Sequence, residues 1–171
     1  CGKDSIRLNS TDELKQMTTQ QFTLVKPEDV PFIWHEVEPL IEKALKHNYL
    51  GSMTSVDALR LILNERQQLW IGVDKDGLFL TILTQVVPYP RHTVLRIITF
   101  ATKTGHDMDI WYHHLSTLEQ FGRDCDCKAL EAWTRKGLAE KLNWEYEYAV
   151  ITKEIKPKQQ RKRRRRTKSN G

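Results

Sequence analysis

The sequence predicts a mixed α/β (α+β) domain: a central mixed sheet, led by antiparallel strands, with helices on both faces and a basic C-terminal arm. Three observations predict it. Short apolar segments at 69–73, 78–87 and 93–101 are separated by reversals rich in Asp, Gly and Pro, the pattern of consecutive strands. On either side of them apolar residues recur at three and four, the helical period. Finally, residues 156–171 carry nine Lys or Arg and no carboxylate. Like charges so densely set repel one another and bury no apolar area, so the arm is expected to be disordered.

The elements follow in order. Residues 1–20 are polar and aperiodic and read as an N-terminal arm; 21–155 form the domain, and 156–171 the polybasic tail. Phe22–Val25 is a short strand candidate. Lys26-Pro27-Glu28-Asp29 then suits a helix start, since Pro fits the first turn and carboxylates favour the positive end of the helix dipole. Val30, Ile33, Trp34, Val37, Leu40, Ile41, Ala44 and Leu45 continue the helical period. Pro39 interrupts it and predicts a split into two short helices. Ser55 is the expected N-cap of the next helix, with Val56, Leu59, Ile62 and Leu63 on its buried face.

Leu69–Val73, the turn Asp74-Lys75-Asp76-Gly77 and the long run Leu78–Val87 predict a hairpin. Pro88-Tyr89-Pro90-Arg91-His92 reverses the chain into a third strand, Thr93–Ala101, whose only charge is Arg96. Strands this apolar are expected to be covered on both faces. Beyond Gly105 the period is helical again, with Asp107 or Asp109 as cap and Ile110, Trp111, His114, Leu115, Leu118 and Phe121 as the stripe. Ala129–Trp133 is a short strand, Gly137–Leu142 a short helix, and Tyr146–Ile155 a final strand. One strand-helix-strand crossover joins Thr93–Ala101 to Ala129–Trp133.

Composition narrows the function classes. No apolar run reaches the roughly eighteen residues that a membrane helix needs, and no signal peptide is read. Three cysteines, Cys1, Cys125 and Cys127, fit reduced thiols better than a disulfide framework. The net charge is +5, yet the nine tail cations account for all of it. Residues 1–155 keep 18 basic against 22 acidic residues, a net of −4. An acidic globule with a cationic arm points to a polyanion partner, most commonly the phosphate backbone of nucleic acid. The contacting residues would be Lys156, Lys158, Arg161, Lys162, Arg163, Arg164, Arg165, Arg166 and Lys168.

The segment Phe22–Asp29, the hairpin around Asp74–Gly77 and Leu138-Ala139-Glu140-Lys141-Leu142-Asn143-Trp144 resemble the Gcn5-related N-acetyltransferase (GNAT) family over residues 21–155. The last segment is similar to the family's Leu-Tyr-Glu-Lys-Leu-Gly-Phe. The resemblance implies the fold, and acetyl-CoA as the cofactor of an active member. Departures fall where the chemistry would sit. The family's glycine-rich pyrophosphate loop is matched by Ala101–Asp109, with one glycine and two carboxylates that oppose a phosphate. Lys103, Thr104, Gly105 and His106 are what remains to hold acetyl-CoA. The tyrosine that protonates the departing thiolate is replaced by Ala139, which transfers no proton. Thr93–Ala101 contains no carboxylate base, leaving Glu131 and Tyr112 as the catalytic candidates. The expectation is a fold kept without its reaction, and no cofactor. The strands Trp70–Val73, Val86–Arg91 and Val94–Ile97 also resemble small acetyltransferase-like internal virion proteins of short-tailed bacteriophages. That likeness implies DNA and other virion proteins as partners, in a virion or a host cytoplasm.

Cys125 and Cys127 with His113 and His114 make a poor zinc set, because adjacent histidines point to different helix faces; no metal is expected. Of the five tryptophans, Trp34, Trp70, Trp111, Trp133 and Trp144, four fall on apolar faces, so core packing is favoured over base stacking. Arg91, His92 and Lys103 could add a polyanion contact, though a solvated turn explains them as well. Two functions remain. One is a non-enzymatic assembly protein that touches nucleic acid; the other is an active N-acetyltransferase with a degenerate cofactor loop.

Overall fold

The computed structural model describes residues 20–46, 52–103, 114–133, 139–140 and 142–146. The chain divides into two compact units, Cys1–Trp133 and Thr134–Gly171. In the first, the elements are β1 (Gln21–Val25), a 3₁₀ turn (Pro27–Asp29), α1 (Val30–Leu45), α2 (Ser55–Leu63), β2 (Gln68–Asp74), β3 (Gly77–Pro88), β4 (Thr93–Thr102), α3 (Leu115–Asp124) and β5 (Cys127–Ala132). The five strands form one sheet in the order β1-β2-β3-β4-β5. Every neighbouring pair is antiparallel except β4 and β5, which α3 joins in parallel. The mixed sheet and the crossover expected from the sequence are both present.

The two faces have different covers. On one, Val30, Ile33, Val37, Leu40, Ile41 and Leu45 of α1 pack with Leu69, Ile71 and Val73 of β2, Leu78 and Leu83 of β3, and Ala101 of β4. On the other, Trp70 stacks on Phe22 and meets Phe121 of α3 edge-on, with ring centroids 5.5 and 5.2 Å apart. Gly122 of α3 lies against Leu95 and Cys127 on this same face. Trp70 is buried, and its indole N–H donates to Thr84 Oγ1 at 2.9 Å, so its polar atom is satisfied inside the core. Leu118 and Phe121 are buried as their spacing predicts, whereas Leu115 is only half-buried.

Three local expectations are corrected. Pro39 does not split its helix: α1 is continuous over 16 residues. Pro39 and His35, four residues earlier, are both exposed, so the carbonyl that loses its helical bond faces water. The apolar stripe on both sides of Pro39 packs on one sheet, and that burial outweighs the lost bond. The N-cap of α2 is Thr54 rather than Ser55, in a capping box with Asp57: Asp57 N–H donates to Thr54 Oγ1 at 3.2 Å, and Thr54 N–H to Asp57 Oδ2 at 3.1 Å. The hydrogen bonds from Thr54 hold the Asp57 carboxyl below its usual range. The buried residues of α2 are Ser55, Ala58 and Ile62, while Val56 and Leu63 are exposed. Ser55 explains the rotation, since its hydroxyl donates to Glu38 of α1 at 2.9 Å and so turns that face inward.

Two bulges shape the sheet. Gly72 pairs with Leu80 and Val73 with Leu78, so Phe79 is the extra residue in β3. A Cβ at position 72 would lie 2.8 Å from Phe79 Cζ and 2.9 Å from Leu80 Cβ, so glycine alone fits under that ring. Gly77, at φ +96°, supplies the left-handed residue of the β2–β3 turn. The second bulge is Ile98 in β4, between the pairs Thr84–Ile97 and Leu83–Thr99. The caps Asp107 and Asp109 and the residues Ile110 and Trp111 lie outside the described residues, as do 147–155 of the expected last strand. In the second unit Ala139, Glu140 and Leu142 are helical, with Ala139 and Leu142 buried.

Candidate functional site

The switch from antiparallel to parallel pairing at β4 singles out one end of the sheet. Parallel pairing sets the carboxyl ends of β4 and β5 at the same end of the sheet, and there the two strands separate. The β4–β5 register ends at Ile97–Ala132, while β4 itself runs on to Thr102. Among the described residues, 98–102 therefore have no partner on that edge. The Ile98 bulge falls at the point of separation, a common place for one beside a site. Thr99 is 6 % exposed there, and its hydroxyl has no hydrogen-bond partner among the described residues. From α1, Lys43 Nζ donates to the Thr102 carbonyl at 3.0 Å, which places a cation at the end of β4.

Where the paired stretch ends, four side chains form a closed network. Arg96 Nε donates to Glu131 Oε1 at 2.7 Å, and Arg96 Nη2 to the Tyr89 hydroxyl at 2.8 Å. That hydroxyl donates to Glu131 Oε2 at 3.0 Å, and the Trp133 indole N–H to Glu131 Oε1 at 2.8 Å. The Arg96 guanidinium also lies over the Trp133 ring, 4.3 Å from its centroid. The network follows from register: Arg96 and Glu131 are direct partners across the parallel pair, and Trp133 is the next residue on the Glu131 side. The Arg96 and Glu131 side chains are 15 % and 19 % exposed, so their attraction is screened less than that of a surface pair.

The candidates from sequence separate here. Glu131 is in the network. Lys103 is exposed at the end of β4, its backbone N–H bonded to the Phe79 carbonyl at 2.8 Å. Tyr112, Thr104, Gly105, His106 and the tail residues Lys156, Lys158, Arg161–Arg166 and Lys168 lie outside the described residues. Sequence reasoning missed Tyr89 as a partner of Glu131, and passed over Arg96, although a lone charge in an apolar strand was a visible signal. Trp133 is 61 % exposed and not a core residue; it lies one residue beyond the end of β5 at Ala132.

Among the described residues no three of His, Cys, Asp and Glu come together to hold a metal. No helix among them is long and apolar enough to cross a membrane. Cys125 and Cys127 flank Asp126, which takes φ +55° in the turn from α3 to β5. Burial pushes both thiols above their ordinary value, and for Cys125 the neighbouring Cys127 adds to the shift. Both should stay protonated at neutral pH. Iodoacetamide should alkylate them more slowly than a small free thiol, read by peptide mapping that separates Cys1. Because the folded state holds these protons more tightly, stability should fall as pH rises from the ordinary thiol value through the raised one. Alkylation as fast as that of a free thiol would contradict the burial.

The fold so defined is that of the GNAT acetyltransferases. A GNAT family acetyltransferase from Staphylococcus aureus superposes with a TM-score of 0.60 at 14% identity, covering 81% of this chain and 100% of that one. A ribosomal-protein-alanine N-acetyltransferase from Brucella melitensis biovar Abortus superposes at 0.61 with 12% identity, covering 79% and 99%. An aminoglycoside acetyltransferase from an uncultured soil metagenomic sample gives 0.63 at 10% identity, covering 81% and 100%. At such identities the likeness concerns the fold alone. No protein-family model matches the chain, and no curated protein matches it in sequence.

Proposed function

We propose that this chain keeps the GNAT scaffold without the transfer reaction and serves as an assembly protein that touches nucleic acid through its C-terminal arm. The observation that carries the reading is the occupation of Glu131. A carboxylate offers about four acceptor positions; Arg96, Trp133 and Tyr89 take three of them. A base must reach its proton, and this one is turned inward to a guanidinium instead. β4 itself offers no carboxylate, and Ala139 stands where the resembling family has its acid. The nine cations of 156–171 supply the contact with phosphates, without base preference. The resemblance of the strand segments to phage proteins supports DNA and other virion proteins as the partners, in a virion or a host cytoplasm.

A second reading, an active N-acetyltransferase, is favoured by the Ile98 bulge and by the departure of β4 from β5. Acetyl-CoA distinguishes the two. A ligand at about 100 times its Kd stabilises by about 2.7 kcal/mol, several degrees in Tm for a chain of this size. The melting temperature should not move with millimolar acetyl-CoA. A clear rise would overturn the non-enzymatic reading and support the transferase.

A further inference from the structure

We propose that Trp133, held by the Arg96–Glu131–Tyr89 network, is a stacking platform for an unpaired nucleobase, so that the folded body joins the arm in contacting single-stranded nucleic acid. The inference rests on the nucleic-acid reading above and adds to it a second site and a preference for unpaired strands. A residue this apolar and 61 % exposed would ordinarily be a loose surface side chain. This one is restrained in two directions. The bond from its N–H to Glu131 at 2.8 Å fixes the ring in its own plane, and the guanidinium 4.3 Å from the centroid covers one face. Arg96 and Glu131 are in turn held by each other and by Tyr89. The exposed part of the ring is thus a flat surface of fixed orientation, and little conformational freedom remains to be lost on binding.

The neighbourhood indicates the class of ligand. Tyr89, whose hydroxyl is part of the network, also lines an apolar depression of ≈ 340 Å³ with Pro90, Arg91 and His92. Its ring lies 5.1 Å from that of His92, giving a second aromatic surface beside the first. Arg91 is exposed and has no ion-pair partner among the described residues, unlike Arg96, whose charge Glu131 balances. Aromatic faces with an unpaired cation beside one of them suit successive bases and the phosphate that links them. A duplex hides its base faces, so this surface has nothing to stack on there.

The test uses the intact chain with a short oligothymidylate and a duplex of equal length, at one physiological salt concentration, read by fluorescence anisotropy. Trp133→Ala should weaken oligothymidylate binding about 5- to 150-fold, the range for losing one stacked base. Duplex binding should stay unchanged, and Trp133→Phe, which keeps a ring, should retain most of the single-strand affinity. Equal losses for both oligonucleotides, or no loss for either, would overturn the platform. A chain that binds duplex, with a single-strand to duplex ratio that Trp133→Ala leaves unchanged, keeps the arm and loses the platform. A chain that binds oligothymidylate through Trp133 but no duplex keeps the platform and loses the arm. Binding of neither overturns both.

Discussion

Phe79→Ala should lower stability by about 3–5 kcal/mol, on the order of ten degrees in Tm. The ring is 1 % exposed and sits over Gly72, filling the space that the β3 bulge opens. The complementary change, Gly72→Ala, should cost about 1–3 kcal/mol or more as overpacking. The two do not cancel. In the Phe79→Ala background the new methyl group still meets Leu80 Cβ, which would lie 2.9 Å away and is attached directly to the backbone of the paired strand. Thermal melts of both single variants and the double variant decide the matter. If Gly72→Ala melts like the parent, the paired residues at this bulge are not those described.

Cutting the chain after Ile155 should abolish duplex binding at physiological salt and leave the melting temperature nearly unchanged. The remaining 155 residues carry a net charge of −4 and repel a phosphate backbone, while a charge-dense arm adds little to the core. For the intact chain, contact of about five phosphates would give a slope of log K against log salt near −4.5, at about −0.9 per phosphate. Non-specific competitors should displace any duplex equally well. Duplex binding that persists after truncation would place the main contact in the body and make the arm an assembly contact or an address. A residual weak affinity for oligothymidylate alone is what the Trp133 platform would leave behind.

Much of the first unit was legible because its strands are short, apolar and separated by strong turns. Asp74–Gly77 and Pro88–His92 mark reversals by local chemistry, and the period change beyond Gly105 marks the crossover to β5. Helix faces were less legible. The stripe Val56, Leu59, Ile62 and Leu63 has correct spacing, yet the buried face is Ser55, Ala58 and Ile62. Spacing gives a helix a stripe but not the neighbour it meets; here Glu38 of α1 takes the Ser55 hydroxyl. Pro39 misled for the opposite reason. A local rule predicted a break, and burial along the whole of α1 overrode it.

The candidate site divides in the same way. Glu131 could be picked out as a carboxylate on a strand, since residue type and segment were enough. That it is bound by Arg96, Tyr89 and Trp133 follows from the parallel register and from the hairpin that brings Tyr89 alongside. Those partners are 35, 42 and 2 residues away in the chain. By itself the sequence determined the strand and helix segments, the charge division between body and arm, and the absence of a glycine-rich loop. Composition and short-range period are local properties, and residues close in sequence express them whatever the rest of the chain does. Only the tertiary structure decided which face of each helix is buried, where β4 leaves β5, and that Trp133 is held in the open rather than packed away. Each of these depends on which distant backbone lies alongside, and that is set by pairing and bulges summed over the whole sheet.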